Sequence, residues 1–189
     1  IYASKFLCDN TLENIQSKLN FDTDKNTTHS YLSTYDKLFS PYKNKNIDLL
    51  EIGIFSGESL KLWNKYFTNN SNIYGIDIDL SRLSKDVLNK ENITIVNKNI
   101  NYLSTNLFSN MLFDIIIDDG SHSKEDQIYF YEFFKNKLKP GGILIIEDIA
   151  NYNFDFIKQH VKDESNVEFF DYRNIKNRFD DIILVYKKE

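Results

Sequence analysis

The chain has 189 residues, with 23 Lys and Arg against 28 Asp and Glu, for a formal net charge of −5. A chain of this length forms one domain with a sizeable core. Its 41% hydrophobic and 27% charged residues are an ordinary globular balance. The acidic excess argues against a nucleic-acid-binding protein and against an anionic membrane surface, because both need a basic footprint.

The longest apolar runs, such as Ile143-Leu144-Ile145-Ile146, fall far short of the ~20 residues that span a bilayer. No signal peptide is visible. The single cysteine, Cys8, has no internal disulfide partner, and there is no Cys/His zinc spacing. A reducing cytoplasm is the expected setting. The chain starts at Ile1 and its one Met is Met111, so the native start is expected to lie upstream.

In chain order, residues 11–19 and 29–39 have helical spacing. A polar link, Asp22 to Thr28, joins them and is expected outside the sheet, as a cap over its edge. Residues 1–40 therefore read as an N-terminal helical cap or lid, and 41–189 as the main domain. Short β-branched or apolar runs follow at 47–53, 72–77, 93–97, 113–118 and 142–147. Helical spacing fills 57–68, 81–89 and 123–138, with a weaker segment at 100–108. Strands alternating with helical crossovers mean a parallel sheet covered on both faces. Near-continuous apolar runs such as Ile115-Ile116-Ile117 agree with that. Ile128, Tyr131, Phe134 and Leu138 recur every three to four residues and predict a core-facing stripe. Leu138-Lys139-Pro140-Gly141-Gly142 reads as a helix stop and a turn into the next strand. After a helical stretch near 153–163, residues 167–172 and 181–187 read as strands. The link from Arg173 to Asp180 is too short for a crossover, so this pair should be antiparallel. The predicted architecture is a doubly wound, Rossmann-like α/β fold, mostly parallel, closed by an antiparallel hairpin.

Four constellations carry chemistry. Glu51-Ile52-Gly53-Ile54-Phe55-Ser56-Gly57 closes the first strand and opens a helix. Glycines there let backbone approach a ligand and leave helix N–H groups free. The spacing is not the dinucleotide Gly-x-Gly-x-x-Gly. An acid at that strand end suits an amino-acid-bearing ligand. Asp77 ends the second strand and can accept both hydroxyls of an adenosine ribose, while Asp79 suits local turn structure. Asp118-Asp119-Gly120-Ser121-His122 ends the fourth strand and Glu147-Asp148 the fifth. If those strands are neighbours, Asp119 and Asp148 converge. Carboxylates clustered without thiols suit a hard cation, Mg²⁺ before Zn²⁺. His122 has the chemistry of a general base near neutral pH. His29 has a weaker claim, and His160, in an amphipathic helix, reads as structural.

These stretches together resemble the class I S-adenosylmethionine-dependent methyltransferases. Within them they resemble the metal-dependent sugar O-methyltransferases of the mycinamicin/macrocin type, and cephalosporin hydroxylase-like relatives share the core. The resemblance rests on Thr23-Asp24-Lys25 with His29, Tyr31 and Tyr35; on Leu50-Glu51-Ile52-Gly53 with Ser59-Leu60 and Trp63; and on Tyr74-Gly75-Ile76-Asp77. Asp118 to His122, Leu138 to Gly142 and Glu147-Asp148 complete it. It implies a seven-stranded sheet and a methyltransferase domain over 41–189. It implies Mg²⁺ on Asp119, Glu147 and Asp148, with His122 as base and Asp119 beside the reacting atoms. Glu51, Gly53, Gly57, Ser59, Asp77 and Asp118 would face S-adenosylmethionine. Asn99 would lie near the adenine, where the family often has Asp. The loop carrying Thr23, Lys25 and Tyr31 would close over cofactor and substrate.

The implied reaction is O-methyl transfer to a small molecule, a sugar, nucleotide sugar or glycoside, with no nucleic acid or membrane partner and a homodimer among the possible assemblies. Macrolide-sugar members carry a long extra N-terminal domain, of which this chain is expected to have almost none, so substrate and oligomeric state are not carried over from them. Competing readings are a metal-independent small-molecule O-methyltransferase and a non-catalytic S-adenosylmethionine-binding module. A nicotinamide-dependent enzyme is disfavoured by the glycine spacing.

Overall fold

The computed structural model describes residues 10–68, 70–99 and 108–189. Cys8 and nearly all of the weak helical segment predicted at 100–108 lie outside the described residues.

The described residues open with three short helices. α1 (Leu12–Leu19) starts at Thr11, whose hydroxyl accepts from Asn14 N, and ends at Asn20 in the left-handed region. α2 (Asp24–Thr27) sits within the predicted polar link, and its Lys25 is buried. α3 (Leu32–Phe39) carries Tyr35 and Phe39 on its inner face. Then come β1 (Asp48–Ile52), α4 (Glu58–Tyr66), β2 (Asn72–Asp77), α5 (Lys85–Leu88), β3 (Ile93–Asn97) and β4 (Phe113–Asp118). α6 (Lys124–Phe134) starts at Ser123, which accepts from Asp126 N, and has Glu125 and Asp126 in its first turn. That is the side chain and charge a helix N-terminus favours. β5 (Leu138–Ile146), α7 (Asn151–His160), β6 (Val167–Asp171), α8 (Arg173–Lys176) and β7 (Ile182–Lys187) complete the described elements.

The strand order is β3-β2-β1-β4-β5-β7-β6. β1 to β5 pair in parallel, while β7 runs antiparallel to both β5 and β6. The seven-stranded, mostly parallel sheet with an antiparallel end is as expected. Three predicted boundaries change. The helix expected over 81–89 is only α5, because Asp79 and Ser81 form a turn first. α6 stops at Phe134 and passes through a 3₁₀ turn, so Leu138 already belongs to β5. Lys139 to Gly142 are therefore not a turn before the strand but an irregularity inside it, where the register with β4 shifts.

Alternation along the strands splits the core in two. Ile115 and Ile117 face α1, α3 and α4, with Leu12, Leu32 and Trp63. Ile116 faces α6 and α7, with Phe130, Phe134 and Ile157. Both faces are covered, as a parallel sheet requires. β1 and β4 are neighbours from which the chain proceeds in opposite directions, so a crevice opens at their carboxyl ends. No helix among the described residues is long and apolar enough to cross a membrane.

Candidate active site

Gly53 and Asp119 leave β1 and β4 at that crevice. Asp119 N donates to Ile52 O at 2.8 Å, and Gly53 N donates to Ile76 O at 2.9 Å. Gly53 has φ +80°, and a Cβ there would lie 1.9 Å from the Asp119 carbonyl oxygen. Glycine is required because two backbones meet. Around this point opens a cleft of about 490 Å³, lined by Thr23, Asp24, Gly53, Phe55, Ser59, Asp77, Asp119, Gly120 and His122. A recess of about 130 Å³ continues past Gly53 and Asp77 to Asn99. A larger groove of about 690 Å³ runs along α4 past Lys61, Lys65 and Lys90. Neither of the ligating side-chain groups described below borders it, so the chemistry belongs to the smaller cleft.

Asp77 shapes one wall. Its Oδ2 accepts from Ile54 N and Phe55 N at 2.8 and 2.9 Å, and its Oδ1 accepts from Asp79 N at 3.0 Å. The carboxylate thus holds the β1–α4 loop and borders both spaces. Gly57 opens α4 at φ +80° against Leu83 and Val87 rather than in the cleft. Asp118 is buried beneath Gly120, and burial together with the Asp119 charge raises its pKa well above the usual carboxylate range.

The opposite wall holds the acids. Ligating atoms of Asp119, His122 and Asp148 all lie within 4.8 Å of one another. Asp119 and Asp148 converge because β4 and β5 are adjacent, as expected of neighbouring strands. Glu147 turns away from Asp148 and joins Glu51 and Asp119 in a second group of the same tightness. His122 and Asp148 have φ of +58° and +54°, a strained region for non-glycine residues that clusters at functional sites. Burial, with the Asp119 charge behind it, pushes the Asp148 carboxyl up to about 8. Burial lowers the His122 imidazole below its ordinary 6.5. His122 Nε2 stands 3.8 Å from Asp148 Oδ2, too far for a hydrogen bond, and its Nδ1 has no hydrogen-bond partner among the described residues.

The N-terminal helices reach into these acids. Lys25 Nζ donates to Asp119 Oδ2 and Glu147 Oε1, both at 2.7 Å, and lies 3.3 Å from Glu51 Oε1. Tyr31 donates to Asp148 Oδ1 at 2.7 Å and Tyr35 to Glu147 Oε1 at 2.5 Å. His29 Nδ1 is 3.1 Å from Asp181 Oδ1 and 3.4 Å from Asp148 Oδ1. Glu51 is fully buried, and its Oε2 accepts from Ser59 Oγ at 2.9 Å and Trp63 Nε1 at 2.8 Å. Of the predicted cofactor-facing residues, Thr23, Gly53, Ser59 and Asp77 therefore border the cleft and Asn99 borders the recess. Glu51, Lys25 and Tyr31 sit behind the surface, in the acid network.

Sequence reasoning gave no role to Tyr35 or Trp63 and passed over Asp181. Signals existed. Tyr31 and Tyr35 are one helical turn apart and share a face. A strand antiparallel to β5 begins where β5 ends, so an acid just before β7 had to lie near Asp148; Ile149 N donating to Ile182 O at 3.0 Å fixes that adjacency.

Residues 50–149, over half of the chain, match the family described as a methyltransferase domain, and the chain belongs to that family. It is 36% identical over 132 residues to demethylmacrocin O-methyltransferase of Streptomyces fradiae, covering 64% of this chain and 32% of that protein. It is 29% identical over 141 residues to 8-demethyl-8-alpha-L-rhamnosyl tetracenomycin-C 2′-O-methyltransferase of Streptomyces olivaceus, covering 69% of this chain and 36% of that one. The chain thus spans about a third of the length of these curated relatives. Among solved structures, the MycE methyltransferase of the mycinamycin biosynthetic pathway, in complex with Mg and SAH, superposes with a TM-score of 0.73 at 22% identity. That match covers 95% of this chain and 55% of MycE and establishes a shared fold.

Proposed function

We propose that this chain is an S-adenosylmethionine-dependent, Mg²⁺-dependent O-methyltransferase acting on a hydroxyl of a sugar or glycoside. The observation that carries the reading is the convergence of Asp119, His122 and Asp148 beside a cleft whose other wall is the glycine loop and Asp77. The relatives' names support the reaction and the acceptor class. The Mg and SAH in the MycE complex support the cofactor and metal.

The residues fit both groups. Mg²⁺ is held largely through carboxylates and keeps open positions; Asp119 and Asp148 supply those, with Glu147, the third ligand that the resemblance implies, beside Asp119 and bonded to Lys25, and no thiol present. Asp77, beside Gly53 and the recess, suits a ribose, and Asn99 suits the base beyond it. Bound S-adenosylmethionine supplies an electrophilic methyl, and bound Mg²⁺ lowers the pKa of a nearby hydroxyl. The protein does the rest. Burial keeps His122 neutral at pH 7, so Nε2 accepts the hydroxyl proton. The oxygen lone pair then forms the bond to the methyl carbon as the carbon–sulfur bond breaks toward sulfur. Orientation of the two reactants by the cleft walls can supply ~7–11 kcal/mol of the barrier reduction. The N-terminal segment, residues 1–40, acts as the helical cap or lid of the site in this reading, and Cys8 as a lone thiol is consistent with a cytoplasmic setting.

A second reading omits the metal, and Lys25 favours it, since its ammonium already neutralises part of the acid cluster. Calorimetric titration of S-adenosylhomocysteine, with and without Mg²⁺, followed by turnover with a panel of nucleotide sugars and glycosides, tests both. Micromolar binding, about −8 kcal/mol, and turnover abolished by EDTA are the expected results. Absence of binding overturns the cofactor assignment, while EDTA-insensitive turnover selects the second reading.

A further inference from the structure

Tyr152, Phe156 and Phe179 form an exposed aromatic patch beside the candidate active site. They are 75%, 53% and 53% exposed. Tyr152 and Phe156 lie one turn apart on α7 and share a face. Tyr152 stacks on Phe179, with ring centroids 6.2 Å apart and 18° between the planes. Single exposed apolar residues are ordinary, whereas contiguous ones mark a binding surface.

Topology sets this patch at the carboxyl edge of the sheet. β6 ends and β7 begins where β5 ends, since Asp171 pairs with Ile182 and Ile146 with Leu184. Phe179 belongs to the link between β6 and β7, and Tyr152 follows closely on Asp148. Lys124, just past His122, sets its ammonium 4.9 Å from the centre of the Phe156 ring. Asp180 is close enough for its charge to act on the His122 imidazole. The rings therefore adjoin His122 from the α6 and α7 side, while Gly53 and Asp77 adjoin it from the β1 and β2 side.

We infer that Tyr152, Phe156 and Phe179 are the acceptor platform of this site: they take the apolar faces of a glycoside that carries an apolar aglycone, with its sugar hydroxyl at His122. This inference deepens the methyl-transfer reading above and rests on it. Displacement at a sulfonium methyl is in line, so the acceptor oxygen approaches from the side opposite sulfur. With the cofactor along Gly53 and Asp77, the rest of the acceptor extends past His122 and over the rings. Aromatic faces stack on flat apolar groups and on the C–H face of a pyranose. The rim disfavours a nucleotide sugar, whose diphosphate needs an available cation. Arg178 is held by both oxygens of Asp180, at 3.0 and 2.7 Å, and Lys124 is held between Phe156 and Glu125, 3.7 Å from the latter. The platform is also built in advance. Asn151 N donates to Phe179 O at 2.8 Å, the Tyr31 hydroxyl donates to Asp180 O at 3.4 Å, and Lys176 Nζ donates to His29 O. A preformed surface loses little freedom when a ligand arrives.

The test is ligand-observed NMR on the full chain with S-adenosylhomocysteine, comparing para-nitrophenyl glucoside, methyl glucoside and uridine diphosphate glucose. The nitrophenyl glucoside is expected to bind about tenfold more tightly than the other two, with Overhauser contacts from its aryl protons to the rings of Tyr152 and Phe179. Tyr152→Ala/Phe179→Ala should erase that preference with S-adenosylhomocysteine affinity unchanged, and Tyr152→Phe should keep it. Equal binding of the three by wild type, tightest binding of the nucleotide sugar, or an aryl preference that survives in the double variant overturns the inference. So does sedimentation showing a wild-type dimer that the double variant converts to monomer, because a second copy then covers the rings. If the double variant does not fold, the Overhauser contacts on wild type decide: contacts to these rings support the platform, and aryl contacts elsewhere overturn it. Failure of S-adenosylhomocysteine to bind wild type removes the methyl-transfer reading itself, a distinct result.

Discussion

Gly53→Ala should weaken this protein far more than an alanine at another glycine of the same backbone conformation. A Cβ at Gly53 would meet Asp119 O at 1.9 Å, Asp119 C at 2.4 Å and Gly120 Cα at 2.8 Å. All three are main-chain atoms, so no side-chain rotation relieves the contact, and the ends of β1 and β4 must part. The left-handed φ of +80° costs an L-residue ~1–2 kcal/mol. Overpacking adds ~1–3 kcal/mol. Stretching the Asp119 N to Ile52 O bond forfeits up to about 1 kcal/mol more. The sum, roughly 2–6 kcal/mol, is a large part of the ~5–15 kcal/mol that a domain holds. Gly141 provides the control. Its φ is +75°, but a Cβ there meets nothing within 4 Å, so Gly141→Ala should cost only the conformational ~1–2 kcal/mol. Urea unfolding followed by circular dichroism measures both, provided that the m-values agree. Folded Gly53→Ala should also bind S-adenosylhomocysteine more weakly, because the Asp119–Gly120 wall has moved. Equal stability losses in the two variants would refute the reasoning.

Four further outcomes are expected. His122→Ala should lose 10²–10⁴-fold in turnover, the typical range for a removed base, with S-adenosylhomocysteine affinity unchanged; near-normal turnover sinks the base role. Because burial lowers the His122 pKa below 6.5, wild-type turnover at saturating Mg²⁺ should rise with pH through that lowered value, and the residual turnover of His122→Ala should lack this limb; a limb below pH 6.5 that survives the substitution contradicts the base role. Asp119→Asn and Asp148→Asn should each abolish the response of turnover to added Mg²⁺, and an unchanged metal titration in both excludes this site. Trp63→Phe removes one of the two donors to buried Glu51 Oε2, so thermal unfolding should report a loss of ~1–3 kcal/mol; no change would mean that Ser59 alone satisfies the carboxylate.

Much of the fold was legible because its signals are local. Ile115-Ile116-Ile117 can be continuous only where both faces of a strand are buried, and the short link from Arg173 to Asp180 left only an antiparallel pairing. The start of β5 was misread because Pro140 and Gly141-Gly142 look like a turn, whereas β4 tolerates them as an irregularity within the strand. The meeting of Asp119 and Asp148, with His122 beside them, was legible because each lies within four residues of a strand end and adjacent strands end together.

The burial of Lys25 was not legible in the sequence for a physical reason: its near neighbours are polar, and its partners are acids 94 and 122 positions away. Glu147 and Asp148 are adjacent in sequence, yet one meets Lys25 and the other Tyr31, with Asp148 turning at positive φ. The sequence by itself determined which residue types reach the carboxyl edge of the sheet, since periodicity and turn chemistry act over a few residues. Only the tertiary structure decided which acid faces the cleft and which is neutralised within. That choice is made by charges brought together from distant segments, where burial makes an unpaired carboxylate too costly to leave.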